Sequence, residues 1–371
     1  MKVLIIGDPN SIWIKSTVEH TLLPFHEEVT LIPRIAVLQN LDFYDINSVK
    51  IVPLPRTKGV FGTIKQIACV MPVFKDRYDV FCIHFVLKKA VFLLPLAKLF
   101  CKRTILIFWG SDILREKKYH FYKAIAFHLA DRLCLSTDEM VEKFHQLYGT
   151  KYDKKIRRMA FGANGIEVLK SLRLSSEDIR MRYGIGQDKI VVSVGYNRMV
   201  QQQHIEVLRE IKALPAEARA RIHLLFRLTY GNGSPEYIQE VKTQIEETGC
   251  TNSVFESYLS DEEVAELTCI TDVFIHAQTT DARSASMCEH LYAKCLVINP
   301  SWIHYSELAD QVFYLTFDQF DDLKTMIKDN LVRKENSPYI DRLNANPKAI
   351  ADLVSWDAHV QEWRDIYTKW D

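Results

Sequence analysis

The chain has 371 residues, 48% hydrophobic and 25% charged, with 47 Lys+Arg balanced by 47 Asp+Glu. That composition excludes a disordered or fibrous chain, and at about 100–200 residues per domain the length implies two domains, each able to bury a core. The neutral total hides an asymmetry that bears on partners: residues 1–165 hold 25 Lys+Arg against 15 Asp+Glu, and residues 166–371 hold 22 against 32,.

From the N-terminus, Met1–Pro9 offers too short an apolar stretch for a signal peptide,. Short β-branched runs then alternate with amphipathic stretches of helix length. Val3–Ile6, Val80–His84, Thr104–Phe108 and Leu133–Ser136 read as buried strands of the first half. Ile190–Val194, His223–Arg227, Val273–His276 and Leu296–Asn299 read the same way in the second, with helical patterns at Tyr119–Ala130, His204–Leu214, Ile238–Thr248 and Asp261–Thr268. Alternation of this kind, with continuously apolar strands, implies an α/β protein whose parallel sheets are covered on both faces. The turn-rich stretch Arg157–Gly165 reads as the boundary between domains 1–165 and 166–345. Residues 346–371 close the chain with an aromatic-bearing amphipathic helix.

The eight cysteines form no C-x-x-C pair and lie mostly in apolar runs, which suits a reducing, cytoplasmic compartment,. The greasiest segment, Ala90–Ala97, falls short of the roughly 20 residues that span a bilayer,. Between Lys50 and Arg103, eleven Lys/Arg stand against Asp76 and Asp79, interleaved with apolar residues. That pattern suits an anionic membrane surface or a lipid-linked pyrophosphate acceptor, and equally a buried helix with a solvated basic face. No nucleic-acid motif accompanies it, no residues have metal-ligand spacing, and the opening Gly7-Asp8-Pro9 turn lacks the G-x-G-x-x-G of a nicotinamide enzyme,.

Chemistry concentrates in Asp281–Pro300, between two predicted strands. Ser284 and Ser286 fall near the start of the intervening helix, where free amides and the helix dipole favour a phosphate. Arg283 adds a forked cation, and Glu289 stands one turn on, able to accept from a ribose diol. An ordinary capped helix with a solvated Glu is the plainer alternative. Arg198, in the turn after Ile190–Val194, and Arg227, ending the strand His223–Arg227, place cations at two strand ends. In the first half, Asp112 follows a strand at Phe108-Trp109-Gly110-Ser111-Asp112 and could serve as a general base or as a helix cap. His84 ends the strand Val80–His84 and could reach the same place, or simply pack in the core.

These segments resemble the GT-B-fold glycosyltransferases. Asp281 and Glu289 match the spacing of the acidic-x7-Glu motif in their nucleotide-sugar domain, with Asp for the usual first Glu. Leu291–Ile298 resembles the "A-x-x-G-x-P-V-I" continuation, with Lys294-Cys295 for Cys-Gly and no proline. Val254–Val264, which contains Tyr258, resembles the stretch beside the base pocket. Leu228–Asn232 and Tyr237-Ile238 resemble the acetamido-dideoxygalactosyl transferases of enterobacterial common antigen assembly. Trp109-Gly110-Ser111-Asp112 resembles an "H-G-x-D" turn with Trp for His, and Gln202 stands near the usual position of a diphosphate-binding Lys.

The resemblance implies two Rossmann-like doubly wound domains facing across a cleft, with the C-terminal helix packing back on the first. It implies a nucleotide-sugar donor held by Arg198, Arg227, Tyr258, Asp281, Arg283, Ser284, Ser286 and Glu289, and catalysis drawing on Asp112 and His84. A saccharide or lipid-linked saccharide acceptor of bacterial surface polysaccharide synthesis would follow, with no metal or other cofactor and a place in the cytoplasm or on the inner face of its membrane. A nucleotide-sugar 2-epimerase on the same fold and a non-catalytic scaffold are the alternatives; epimerised donor formed without acceptor marks the first, and slow hydrolysis of a nucleotide sugar excludes the second.

Overall fold

The computed structural model describes residues 1–34, 41–55, 59–86, 91, 93–281 and 283–370. Of the eleven cations of the basic stretch, Arg56, Lys58, Lys88 and Lys89 lie outside these residues.

The chain divides into two compact units, Met1–Gly162 with Trp356–Asp371, and Ala163–Ser355. Unit 1 contains a seven-stranded sheet of β1 (Lys2–Gly7), β2 (Glu28–Pro33), β3 (Lys50–Ile51), β4 (Tyr78–His84), β5 (Cys101–Ile107), β6 (Arg132–Leu135) and β7 (Ile156–Arg158), in the order β3-β2-β1-β4-β5-β6-β7. Unit 2 contains a six-stranded sheet of β8 (Ile190–Val194), β9 (Ile222–Arg227), β10 (Thr251–Phe255), β11 (Val273–Ile275), β12 (Leu296–Pro300) and β13 (Leu315–Phe317), in the order β10-β9-β8-β11-β12-β13. Every ladder among the described residues is parallel. Helices therefore cross both faces, and the central strands are apolar along their length: Val3 to Ile6 of β1 and Ile190 to Val192 of β8 are all buried,.

Five strands escaped the sequence pattern. β3, β7, β10 and β13 lie at or next to a sheet edge, are short or polar, and need little apolar covering,. β7 also occupies the start of Arg157–Gly165, so that stretch is only partly a turn. β2 begins at Glu28 and ends at Pro33, which broke its apolar run.

The helix Ile340–Val354 belongs to unit 2, and the crossing back to unit 1 comes at Trp356, ten residues later than position 346. The final helix, Trp356–Thr368, packs on the helix Ile12–Thr21. Trp363 is fully buried, and its indole donates to Ala160 O at 2.7 Å. The Arg132 guanidinium donates to Asp365 O and Ile366 O at 2.9 and 2.6 Å and lies 3.9 Å from the Trp370 ring. With the tail included, unit 1 carries 27 Lys+Arg against 19 Asp+Glu and unit 2 carries 20 against 28. The asymmetry survives, slightly reduced.

In each sheet the chain starts in the middle, builds outward to one edge, then returns and builds to the other. This places a topological switch beside the first strand, where a crevice opens at the carboxyl ends. The switch lies between β1 and β4 in unit 1 and between β8 and β11 in unit 2.

Candidate functional site

The loops that leave β8 and β11 knit together at the unit 2 switch. Gln203 Nε2 donates to Ala277 O at 2.7 Å, and Thr279 N donates to Gln201 O at 3.1 Å. Gly195 turns the chain out of β8 at φ +61°, and a Cβ there would press on Gln202 Oε1 and His204 Nε2. Gln202 is fully buried and accepts from Tyr196 N at 3.2 Å, so it braces the turn instead of standing in for a lysine.

Arg227, at the carboxyl end of β9, is buried, and its Nη2 donates to Ser286 Oγ at 3.0 Å. Ser286 opens the helix Ala285–Tyr292, and Glu289 stands one turn further on. Burial pushes the Glu289 carboxyl up to about 7; the Arg227 charge draws it down and Asp261 pushes it further up. Glycine at 165 makes room for this carboxylate, since a Cβ there would overlap the Glu289 side chain. Arg227, Ser286 and Glu289 thus lie together, with Gly165 against the Glu289 carboxylate.

The other candidates are dispersed. Ser284 is spent on its own helix, accepting from Met287 N at 3.1 Å as the N-cap. Arg283 pairs with Glu307. Arg198 turns its Nε to Gly231 O at 3.0 Å, joining the loops after β8 and β9. Tyr258, in the loop after β10, is 79% exposed. Asp281 lies among residues that sequence reasoning passed over: its Oδ2 is 3.5 Å from Tyr196 Oη and 3.6 Å from His276 Nε2. Gln278 donates to that Tyr196 hydroxyl at 2.9 Å. Only the ends of two strands far apart in sequence signalled these groups.

Buried polar atoms without a hydrogen-bond partner among the described residues gather here: Arg227 Nε, His276 Nε2, Gln278 Oε1, His290 Nε2 and Tyr305 Oη. Buried polar groups are ordinarily paired, so such a gathering marks a place where water or a ligand completes the set. The described residues contain no group of three or more His, Cys, Asp or Glu able to hold a metal ion.

In unit 1, Asp112 is 5% exposed and both carboxylate oxygens accept backbone amides, Val86 N at 2.8 Å and Trp109 N at 2.9 Å. Burial raises its pKa, and those two amides oppose the rise. The carboxylate ties the loop after β4 to the loop after β5. It is not a solvent-facing base. His84 is fully enclosed by Trp109, Phe161 and Trp363, stacked on the last at 6.2 Å and 11°. Burial lowers it to about 3, so the ring is neutral and packs instead of titrating.

Neither a protein-family model nor a curated protein sequence matches the chain. Solved structures match it in fold. A glycosyltransferase from Rickettsia africae ESF-5 is 12% identical at a TM-score of 0.79, covering 99% of this chain and 98% of that one. Anabaena HepE in complex with UDP and glucose is 15% identical at 0.73, covering 100% of each. WaaG, a glycosyltransferase involved in lipopolysaccharide biosynthesis, is 12% identical at 0.70, again covering 100% of each. The chain has the GT-B fold, with two Rossmann-like units and the final helix returned to the first.

Proposed function

We propose that this protein is a glycosyltransferase that takes its sugar from a nucleotide donor held by unit 2. The observation that carries the reading is the meeting of Arg227, Ser286 and Glu289 beside unpartnered buried polar atoms at the carboxyl ends of β8, β9 and β11. Fold likeness to HepE, whose structure holds UDP and glucose, supports it.

In this reading the ionised Glu289 accepts from the ribose diol, and Arg227 and Arg198 offer charge to the diphosphate. Negative charge grows on the diphosphate as the sugar departs. Cations and the positive end of the Ala285–Tyr292 dipole, already in place, stabilise that state without reorganising. The acidic balance of unit 2 makes these local charges necessary.

The acceptor belongs to unit 1, as a saccharide or lipid-linked saccharide of bacterial surface polysaccharide synthesis. Between residues 93 and 128 every exposed charged side chain is basic: Lys102, Arg103, Arg115, Lys117 and Lys118. Phe121 at 71% exposure and Ile125 lie one turn apart on the helix Phe121–Leu129, and Leu99 is exposed on the neighbouring helix Leu94–Phe100. Cations beside exposed aromatic and aliphatic groups favour an anionic membrane surface. No helix among the described residues is long and apolar enough to cross a membrane.

The test is product analysis with a panel of nucleotide sugars, with and without lipid-linked saccharides. Nucleoside diphosphate released only with acceptor, together with an extended glycan, is expected. An epimerised sugar nucleotide formed from donor alone would overturn the assignment.

A further inference from the structure

The carboxyl ends of the unit 1 strands hold an arginine that no anion answers. Arg34 follows β2, is half-buried, and its amide donates to Gly7 O, the last residue of β1, at 2.6 Å. Its guanidinium lies 4.7 Å from the centroid of the Phe85 ring. Phe85 follows β4, so this contact passes over the end of β1, which lies between β2 and β4 in the sheet. Phe85 sits at φ +63°, in the left-handed region that a bulky side chain rarely adopts, and its amide donates to Ile107 O at 3.0 Å,. Arg34 makes no ion pair and no side-chain hydrogen bond among the described residues, and its Nε is buried. The carboxylate of Asp8, in the loop after β1, accepts from Asn10 N at 3.0 Å and does not pair with Arg34. Arginines drawn out of water are ordinarily paired.

Trp109, just after β5, meets the same Phe85 ring edge-on at 5.7 Å and 87°. Its Nε1 is a second buried donor without a partner among the described residues. The row of rings continues, with Phe161 at 6.1 Å from Trp109 and Trp13 at 5.5 Å from Phe161. All four rings are half-buried. His84 also lacks polar partners, but it is fully buried, stacks on Trp363 and stays in the core. Both unanswered groups of this edge are therefore donors, and one is a permanent cation with a flat fork. A neutral hydroxyl can satisfy a single donor. An oxyanion offers only acceptors and neutralises the charge as well. The neighbouring half-buried rings suit the apolar face of a sugar that carries such a group.

We infer that Arg34 and the Trp109 indole form an oxyanion subsite of unit 1, which receives a phosphate or carboxylate carried by the acceptor saccharide. The assignment to the acceptor rests on the glycosyltransferase reading; the subsite itself does not.

Two measurements on the full chain separate these. Glucose 1-phosphate, glucuronate and glucose supply a phosphate, a carboxylate and no anion on one sugar frame. In titrations followed by nitrogen-15 NMR of the indoles, the Trp109 signal, assigned by its loss in Trp109→Phe, should move as an anionic probe binds. The probe should act at a concentration at least about tenfold below that of glucose, the worth of one hydrogen bond to a charged group. Whichever probe does so names the source, a phosphate or an acidic sugar. Arg34→Gln should weaken its binding at least about tenfold, and Trp109→Phe, which keeps a ring against Phe85, by a similar factor. An anionic probe that binds no better than glucose, a Trp109 signal that stays still, or wild-type affinity in Arg34→Gln would overturn the subsite. In transfer assays the bound probe should compete with the acceptor and leave the KM of the nucleotide sugar unchanged; competition with the nucleotide sugar alone would overturn the acceptor role. A protein that transfers no sugar removes that role together with the glycosyltransferase reading, while the titration still decides the subsite.

Discussion

Raising the pH from 6 to 8 should strengthen UDP-glucose binding about tenfold in the wild type relative to Glu289→Gln. The cause is the environment of Glu289, where burial outweighs the Arg227 charge and leaves the carboxyl at about 7. A ribose diol donates hydrogen bonds, so it is held by the carboxylate and not by the acid. With that pKa about one tenth of the free protein is ionised at pH 6 and about nine tenths at pH 8, and apparent affinity follows the competent fraction. The sign is fixed by the direction of the shift. Because the folded pKa lies above the ordinary value, this group's contribution to stability is present below about pH 4.5 and is lost as pH rises through about 7; ligand offsets that loss by selecting the ionised form. Calorimetry at pH 6, 7 and 8 in buffers of differing ionisation enthalpy measures both affinity and proton exchange. Release of nearly one proton on binding at pH 6 is expected. A wild-type to Glu289→Gln ratio that stays flat with pH, or proton uptake on binding, would refute the reasoning.

Gly165→Ala should weaken nucleotide-sugar binding at least tenfold without altering the secondary-structure spectrum, because the added methyl group overlaps the Glu289 side chain; unchanged affinity would remove Gly165 from the site. Asp272→Ala should cost about 3–5 kcal/mol in urea unfolding, since Asp272 accepts from Arg180 Nη2 at 2.8 Å, and removing it strands a fully buried guanidinium,. Trp363→Ala should cost about 3–5 kcal/mol of unit 1 stability, because the buried indole packs on His84 and Phe161 and donates to Ala160 O,. For the basic face, combining Lys117→Glu with Lys118→Glu should reduce partition onto phosphatidylglycerol vesicles by about 30-fold or more in co-sedimentation at low salt, at about 1 kcal/mol for each cation lost. Binding that ignores both the substitutions and the salt would contradict the charge assignment.

Apart from β2, whose run is broken by Glu28 and Pro33, the sequence carries the architecture wherever a strand lies inside its sheet. β1, β4, β5, β8, β9, β11 and β12 each hold an apolar run because helices cover both faces, and that run is readable even where a strand also carries polar residues such as Lys102 and Arg103 of β5. Edge strands such as β10 and β13 leave none, and the pattern passed over them. The same distinction holds at the site. Glu289 and Ser286 share one helix, so spacing alone related them, and Arg227 ends an apolar strand. The grouping of Tyr196, His276 and Asp281 depends on β8 lying beside β11, a pairing across about 80 residues that no local pattern encodes. In the sequence Asp112, a carboxylate just after a strand, looks available as a base. The amides of Val86 and Trp109 that occupy it arrive by tertiary packing.

The central claim is that the strand ends of unit 2 bind a nucleotide sugar, and equilibrium thermal stabilisation of the full chain tests it most directly. A nucleotide sugar at about 100 times its dissociation constant should stabilise the wild type by about 2.7 kcal/mol. Glu289→Ala and Arg227→Gln should lose most of that gain while keeping their fold. No stabilisation of the wild type by any nucleotide sugar, or equal stabilisation of the two variants, would contradict the account.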